Sequence, residues 1–158
     1  MRPVEPERFR AVMGQFATGV AVVTVAGRDG PRGMTANAVA SLSLDPLLVL
    51  VCFDRQARTL PEIERTGRFG VNVLAADQEP IARQFASKDD GKFDQVGHFL
   101  HDGIPVIEGT LAWVGCDLDS LVPGGDHVIG IGAVRAAELG SGGGEPLVWF
   151  RGRYGARR

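Results

Sequence analysis

The chain is poor in the residues that most often announce a function. Among its 158 residues there are two cysteines, three histidines and one tyrosine. Two cysteines, Cys52 and Cys116, can build neither a disulfide framework nor a four-cysteine metal site. Both stand in apolar, strand-like contexts, which suits buried free thiols in a reducing compartment and sets the expected location as the cytoplasm. No run of 18 apolar residues occurs and the first ten residues lack an apolar signal core, so no membrane span and no export leader are expected. Charge of neither sign dominates: the formal net charge of −2 gives no electrostatic case for nucleic acid or for an anionic membrane. No G-x-G-x-x-G opens a helix after a strand and no P-loop is present, so any dinucleotide is held by something other than a Rossmann unit. A serine nucleophile elbow and a His-Glu-x-x-His are missing too. His98 and His101 have metal-like spacing, but without a matching Cys or carboxylate set a solvated loop is the better reading, and no metal is expected.

Glycine, by contrast, is plentiful at 22 residues, and β-branched runs recur between the glycine clusters. That pattern, with helical periodicity confined mostly to the first half and no βαβ alternation, predicts a mainly β fold: an antiparallel barrel with peripheral helices. The length suits one domain, 1–158. Phe9, Val12, Met13 and Phe16 form one apolar stripe and predict a helix over 5–17, stopped near Gly19. Strands are expected over 20–25, 34–44, 47–53, 69–74, 109–118, 127–137 and 146–150. Residues 27–33 read as a polar turn tightest at Asp29-Gly30. Thr59 is the candidate cap of a short helix ended by Gly67, and Asp77 that of a helix running to Phe85. Residues 86–106 look irregular, 140–144 reads as a flexible hairpin loop, and the tail from Arg151 is basic.

The stretch 33–55 is the most informative. Its first half, TANAVASLS from Thr35, carries hydroxyls at Thr35, Ser41 and Ser43 and an amide at Asn37 among small side chains. Small residues let a flat polar ligand approach the backbone. Its second half, 47–53, is seven apolar residues closed by Asp54-Arg55 and reads as a buried strand. Asp45-Pro46 interrupts pairing between the two. Taken alone, the stretch equally suits a surface hairpin. A second stretch starts at Gly124-Gly125-Asp126-His127. The turn places His127 at a strand mouth, and Gly130 and Gly132 leave one strand face bare. On the residues alone, a bend relieved by glycine is the more economical reading of that face.

TANAVASLSLDP followed by LVLVCFDR resembles the flavin reductase family, the FMN-binding split-barrel NAD(P)H:flavin oxidoreductases that include reductase components of two-component monooxygenases. Gly-Asp-His with its alternating strand resembles the family's second signature, which reverses the reading of the Gly130 and Gly132 face and implies that it holds the stacked rings, and 147–155, LVWFRGRYG, resembles its ending. The resemblance spans about residues 5–155 and implies a Greek-key split barrel. It implies that Thr35, Ala36, Asn37, Ala38, Ser41, Ser43, Cys52 and Asp54 lie along the isoalloxazine ring and ribityl chain of FMN or FAD. Arg55 and Thr59 then fall where ribityl or phosphate contacts are made. Phe85, Lys88, Lys92 and Phe93 match a phosphate-side Phe-Ala-Ser and Lys-Phe. His127 would lie beside flavin and nicotinamide as the catalytic position, and Tyr154 would approach the active site. The resemblance further implies hydride transfer from NADH or NADPH, a homodimer, and a partner monooxygenase. The sequence has no clear 2′-phosphate clamp, but Arg151, Arg153, Arg157 and Arg158 could supply one. The chain is small and aliphatic at Ala38-Val39-Ala40, where the family often has bulkier residues. Competing readings are the same fold with another acceptor, a non-catalytic flavin-binding electron-transfer module, and a plain β-barrel interaction domain.

Overall fold

The computed structural model describes residues 3–156. The chain opens with helix α1 (Pro6–Met13) and continues through strands β1 (Thr18–Gly19), β2 (Ala21–Gly27), β3 (Gly30–Ala36), β4 (Val39–Leu44) and β5 (Leu47–Asp54). Helix α2 (Thr59–Thr66), β6 (Arg68–Val73), a single 3-10 turn (Ala76–Gln78) and helix α3 (Glu79–Ala86) follow. The rest is strand and loop: β7 (His98–His101), β8 (Ile104–Ile107), β9 (Ala112–Gly124), β10 (His127–Leu139), β11 (Leu147–Phe150) and β12 (Arg153–Ala156).

Seven strands form one antiparallel sheet in the order β3-β2-β6-β9-β10-β5-β4. The two edge strands, β3 and β4, are consecutive in the chain and joined only by Asn37 and Ala38. Three Cα steps span at most about 11 Å, so the edges must meet and the sheet must curl. Among the described residues β3 and β4 share no ladder; the Ala38 carbonyl, accepting from the Cys52 N–H at 3.0 Å, extends the β4–β5 pairing instead. The architecture is a mainly β split barrel with peripheral helices, as the sequence leads one to expect.

Strand β2 explains its own composition. Ala21, Val23 and Val25 face the barrel interior, while Val20 and Val22 face a second apolar cluster outside it. A strand buried on both faces has no polar alternation to show. The barrel interior is filled by Val49, Val51, Phe53, Phe69 and Val71, and α2 closes one end with Leu60 and Ile63. Phe53 and Phe69 meet edge to face, with ring centroids 5.9 Å apart. Each is fully enclosed, worth about 1.5–3 kcal/mol of transfer free energy. Outside the barrel, Ala82 and Phe85 of α3 pack with Leu74, Ile107 and Leu147.

A buried polar anchor fastens the β7–β8 hairpin to the sheet. Asn72, fully buried, donates to Val22 O and Thr24 Oγ1, both at 3.1 Å, and accepts from the Ile107 N–H at 2.9 Å. Thr24 Oγ1 in turn donates to Pro105 O at 2.5 Å.

Several expectations give way here. Residues 86–106 are not wholly irregular: β7 and β8 form a hairpin across Asp102-Gly103, both at positive φ. The span 34–44 is two strands, and β3 begins at Gly30, so the 27–33 turn shrinks to Arg28-Asp29. The span 47–53 alternates rather than being wholly buried, with Leu48, Leu50 and Cys52 turned outward. Thr59 is the first residue of α2 rather than its cap, and its side chain makes no cap bond. Asp77 lies inside the 3-10 turn, and the bond to the Ala75 N–H comes from Gln78 Oε1 at 3.0 Å. Residues 140–144 do not close a hairpin, because β10 and β11 belong to different sheets. Helix α1 ends at Gly14, before Gly19, and buries no residue. Its apolar stripe is solvent-facing: Phe9, Val12, Met13 and Phe16 are 49–71% exposed.

Candidate functional site

A cleft of about 870 Å³ opens beside β3. One wall is residues 29–35; the floor and far wall are Gln56 to Thr59 at the head of α2, Phe85 at the end of α3, and the loop 86–94. The wall can form because Gly33 has no side chain: a Cβ there would stand 2.7 Å from the Phe85 ring. Phe85 therefore packs closely against β3 at Gly33, and Phe93 meets it edge to face at 4.9 Å. Thr35 ties the helix to the strand, its Oγ1 donating to Ala82 O at 2.6 Å. Gln84 holds the loop from beneath, its Nε2 donating to Lys92 O at 2.6 Å and Asp94 O at 3.2 Å.

Cations converge on this cleft. Lys92 Nζ donates to Phe85 O at 3.0 Å and points inward from the loop. Partial burial, and then the nearby Arg58 charge, hold its pKa below the ordinary 10.5. Arg58 pairs with Asp90 and donates to Lys88 O at 3.4 Å. Lys88 and Arg32 also line the space. An oxygen-rich anion entering here finds several charged donors, the chemistry a nucleotide phosphate requires. The volume is also in the range of small-molecule sites.

The expected residues do not all gather there. Thr35, Asp54, Thr59, Phe85, Lys88, Lys92 and Phe93 line the cleft. Asn37, Ala38 and Ser41 are exposed along the seam just beyond it, a continuous polar edge reached from Thr35. Ser43 sits at the β4 turn, accepting from the Asp45 N–H at 3.2 Å. Ala36 turns into the barrel interior, buried and paired with Ala21, so it is a core residue rather than a ligand contact. Cys52 faces outward beside Ile129, away from the cleft lining. Arg55 is committed to the β9–β10 turn, with Nε donating to Gly125 O at 2.8 Å and its N–H to Asp126 O at 3.2 Å. Tyr154 stacks edge to face on Trp149 under the Arg83 guanidinium and does not line the cleft.

His127 opens β10 opposite Asp54, half-exposed, with Nδ1 2.8 Å from Asp126 Oδ1. That hydrogen bond is the main reason the Asp126 carboxyl lies below its ordinary pKa. Gly130 and Gly132 do not bare a ligand face. They point into the barrel, where a Cβ at Gly132 would stand 2.5 Å from the Phe69 ring and one at Gly130 would collide with Phe53. The bare face is filled by the protein's own aromatic rings, so the glycine-relieved bend is the correct account. Arg58 and Asp90, by contrast, are cleft residues that no motif singled out; they meet across 32 residues of chain. Among the described residues no group of three His, Cys, Asp or Glu is placed to hold a metal ion. Arg157 and Arg158 lie outside the described residues.

A curled antiparallel barrel, split at a polar seam and flanked by a cation-lined cleft, defines a nucleotide-cofactor-binding split barrel. Residues 13–157 match the flavin reductase like domain. The chain belongs to that family. It is 45% identical over 154 residues to a flavin reductase of Pseudomonas putida, covering 96% of this chain and 90% of that one. It is 40% identical over 148 residues to the reductase component of 4-hydroxyphenylacetate 3-monooxygenase of Thermus thermophilus, covering 94% of each. The NADH:FAD oxidoreductase of Streptomyces globisporus, solved with NAD and FAD fragments, superposes with a TM-score of 0.89 at 40% identity, covering 100% of this chain and 96% of that one.

Proposed function

We propose that this chain is an NAD(P)H-dependent flavin reductase: it passes a hydride from NADH or NADPH to FMN or FAD, and the reduced flavin goes to a partner flavin-dependent monooxygenase. The observation that carries this is the continuity of the cation-lined cleft with the small, polar seam running from Thr35 through Asn37 and Ala38 to Ser41. A phosphate-bearing ligand seated in the cleft would lay its flat end along that seam. Lys88, Lys92 and Arg58 hold its phosphate, and Thr59 and Asp54 meet the chain leading from it. Asn37 and the exposed Ala38 meet the ring edge. The bound flavin supplies the hydride-accepting chemistry. The protein's own part is to position two planar rings within near-attack distance and keep their polar edges satisfied, which needs no strong general base. His127 positions the second ring from the strand mouth next to Asp54. The protein acts as a cytoplasmic homodimer in which the outward face of β5 and β10 meets a second copy. No helix is long and apolar enough to cross a membrane.

The test is steady-state oxidation of NADH and of NADPH with FMN, FAD and riboflavin as acceptors. Oxidation that saturates with added FMN or FAD supports the reading. Flavin that binds but is not reduced by either nucleotide makes the protein a flavin-binding electron-transfer module instead.

A further inference from the structure

The cleft carries charge of both signs. Beside Arg32, Arg58, Lys88 and Lys92 stand Asp54, Asp89, Asp90 and Asp94. A site built to retain a phosphate concentrates free cations. Here two of the four are already engaged: Lys92 on the Phe85 carbonyl and Arg58 on Asp90. The Arg58–Asp90 pair lies at the rim, with side chains 61% and 82% exposed, where water competes and a carboxylate is easily displaced.

We propose that Asp90 is a built-in competitor for the flavin phosphate: carboxylate and phosphate contend for the same Arg58 guanidinium, which keeps the flavin an exchangeable substrate rather than a resident group. The inference rests on the reading of this cleft as the phosphate end of the flavin site. The 5′-phosphate of FMN, or the pyrophosphate of FAD, takes an arginine best through two parallel hydrogen bonds. To do so it must displace Asp90, whose carboxylate then stands unpaired beside Asp89 and close to the new anion. Lost pairing and like-charge repulsion both subtract from affinity. On release the process reverses, and a returning carboxylate shortens the residence of the ligand, the step in which most affinity differences appear. A reductase that surrenders its reduced flavin to a separate acceptor needs that exchange.

A purely mechanical role makes a different prediction. If the pair only straps the 87–94 loop to the head of α2, breaking it loosens the cleft for every flavin alike. The probes are FMN and riboflavin, which differ by the phosphate alone. Their dissociation constants are measured by flavin fluorescence for the unmodified protein, Asp90→Asn, Arg58→Gln and the double variant at low salt. Asp90→Asn should tighten FMN about three- to fivefold and slow its release in stopped-flow by a similar factor, with riboflavin unchanged. In the Arg58→Gln background the same change should leave FMN affinity within about twofold. FMN that is unchanged or weakened in Asp90→Asn, or FMN and riboflavin that move together, overturns the proposal while leaving the flavin site standing. If the unmodified protein binds neither flavin, the reading of the cleft itself fails and the proposal goes with it.

Discussion

At the residue scale the sharpest case is His127. The Asp126 carboxylate faces its Nδ1 at 2.8 Å, so the neutral ring keeps its proton on that nitrogen and presents Nε2 to whatever lies over the strand mouth. Such a ring can orient an amide, and hydride transfer itself requires no proton from it. His127→Ala should therefore keep flavin affinity within a few-fold and slow anaerobic flavin reduction by saturating NADH roughly tenfold, about 1.4 kcal/mol of barrier. Stopped-flow bleaching of the flavin absorbance reads this directly. A variant that reduces flavin at the unmodified rate makes His127 a strand-end residue and nothing more. Placement was legible in the sequence where a turn or loop fixes it: His127 opens β10 after Gly124-Gly125-Asp126, and Lys88 and Lys92 line the cleft from a glycine-bearing loop. What a side chain touches was not. The Thr35 hydroxyl satisfies a helix carbonyl 47 residues away, and Arg55 is consumed by a turn 70 residues away. Those partners depend on how the sheet curls, which no local pattern encodes.

Strand identity, at the scale of elements, was legible wherever β-branched residues ran between glycines, as in β2 and β10. Direction of face was not always so, because period 2 says which residues share a face but not which face is inside. Gly130 and Gly132 show the ambiguity. Either a ligand or the core can lie over a bare strand face, and here the Phe53 and Phe69 rings lie there. Register slips in the β9–β10 ladder flank Gly132, so the strand bends where the rings press against it. Gly132→Val should accordingly lower stability by about 1–3 kcal/mol or more through overpacking against Phe69 and Cys116. Flavin affinity of the folded protein should barely move. Chemical denaturation beside a flavin titration separates the two outcomes: a loss of affinity at unchanged stability would return this face to the ligand. The β7–β8 hairpin was missed for a related reason. Its strands are only four residues each and its Asp102-Gly103 turn directly follows His101 at the end of a charged, glycine-bearing stretch, so a turn dipeptide that normally signals a hairpin was read as loop. Its place is fixed instead by Asn72, a buried partner on β6.

For the whole molecule, the question is what covers the apolar surface that the single chain leaves open. Pairing register sets Cys52 beside Ile129, Leu50 beside Ile131 and Leu48 beside Ala133, all on the outward face of the barrel. Around them Leu42, Leu44, Leu47 and Val122 are 43–82% exposed. A single chain rarely tolerates a contiguous apolar area of several hundred Å² unless a partner covers it. The face also borders the Asn37-Ala38 seam, so a partner seated on it would shield the edge assigned to the flavin ring. A second copy fits best, because a two-fold interface needs only one self-complementary patch. The α1 stripe is a separate exposed area and needs no part in this contact. Light scattering at micromolar concentration should therefore give twice the 16.8 kDa chain mass. Ile131→Lys places a charge in the middle of the face while leaving the barrel interior untouched. It should weaken the dimer roughly a hundredfold, about 2.7 kcal/mol, with circular dichroism unchanged. An unmodified protein that scatters as a 16.8 kDa species sinks the dimer, and an Ile131→Lys variant that stays dimeric moves the interface elsewhere, with α1 the next surface to test.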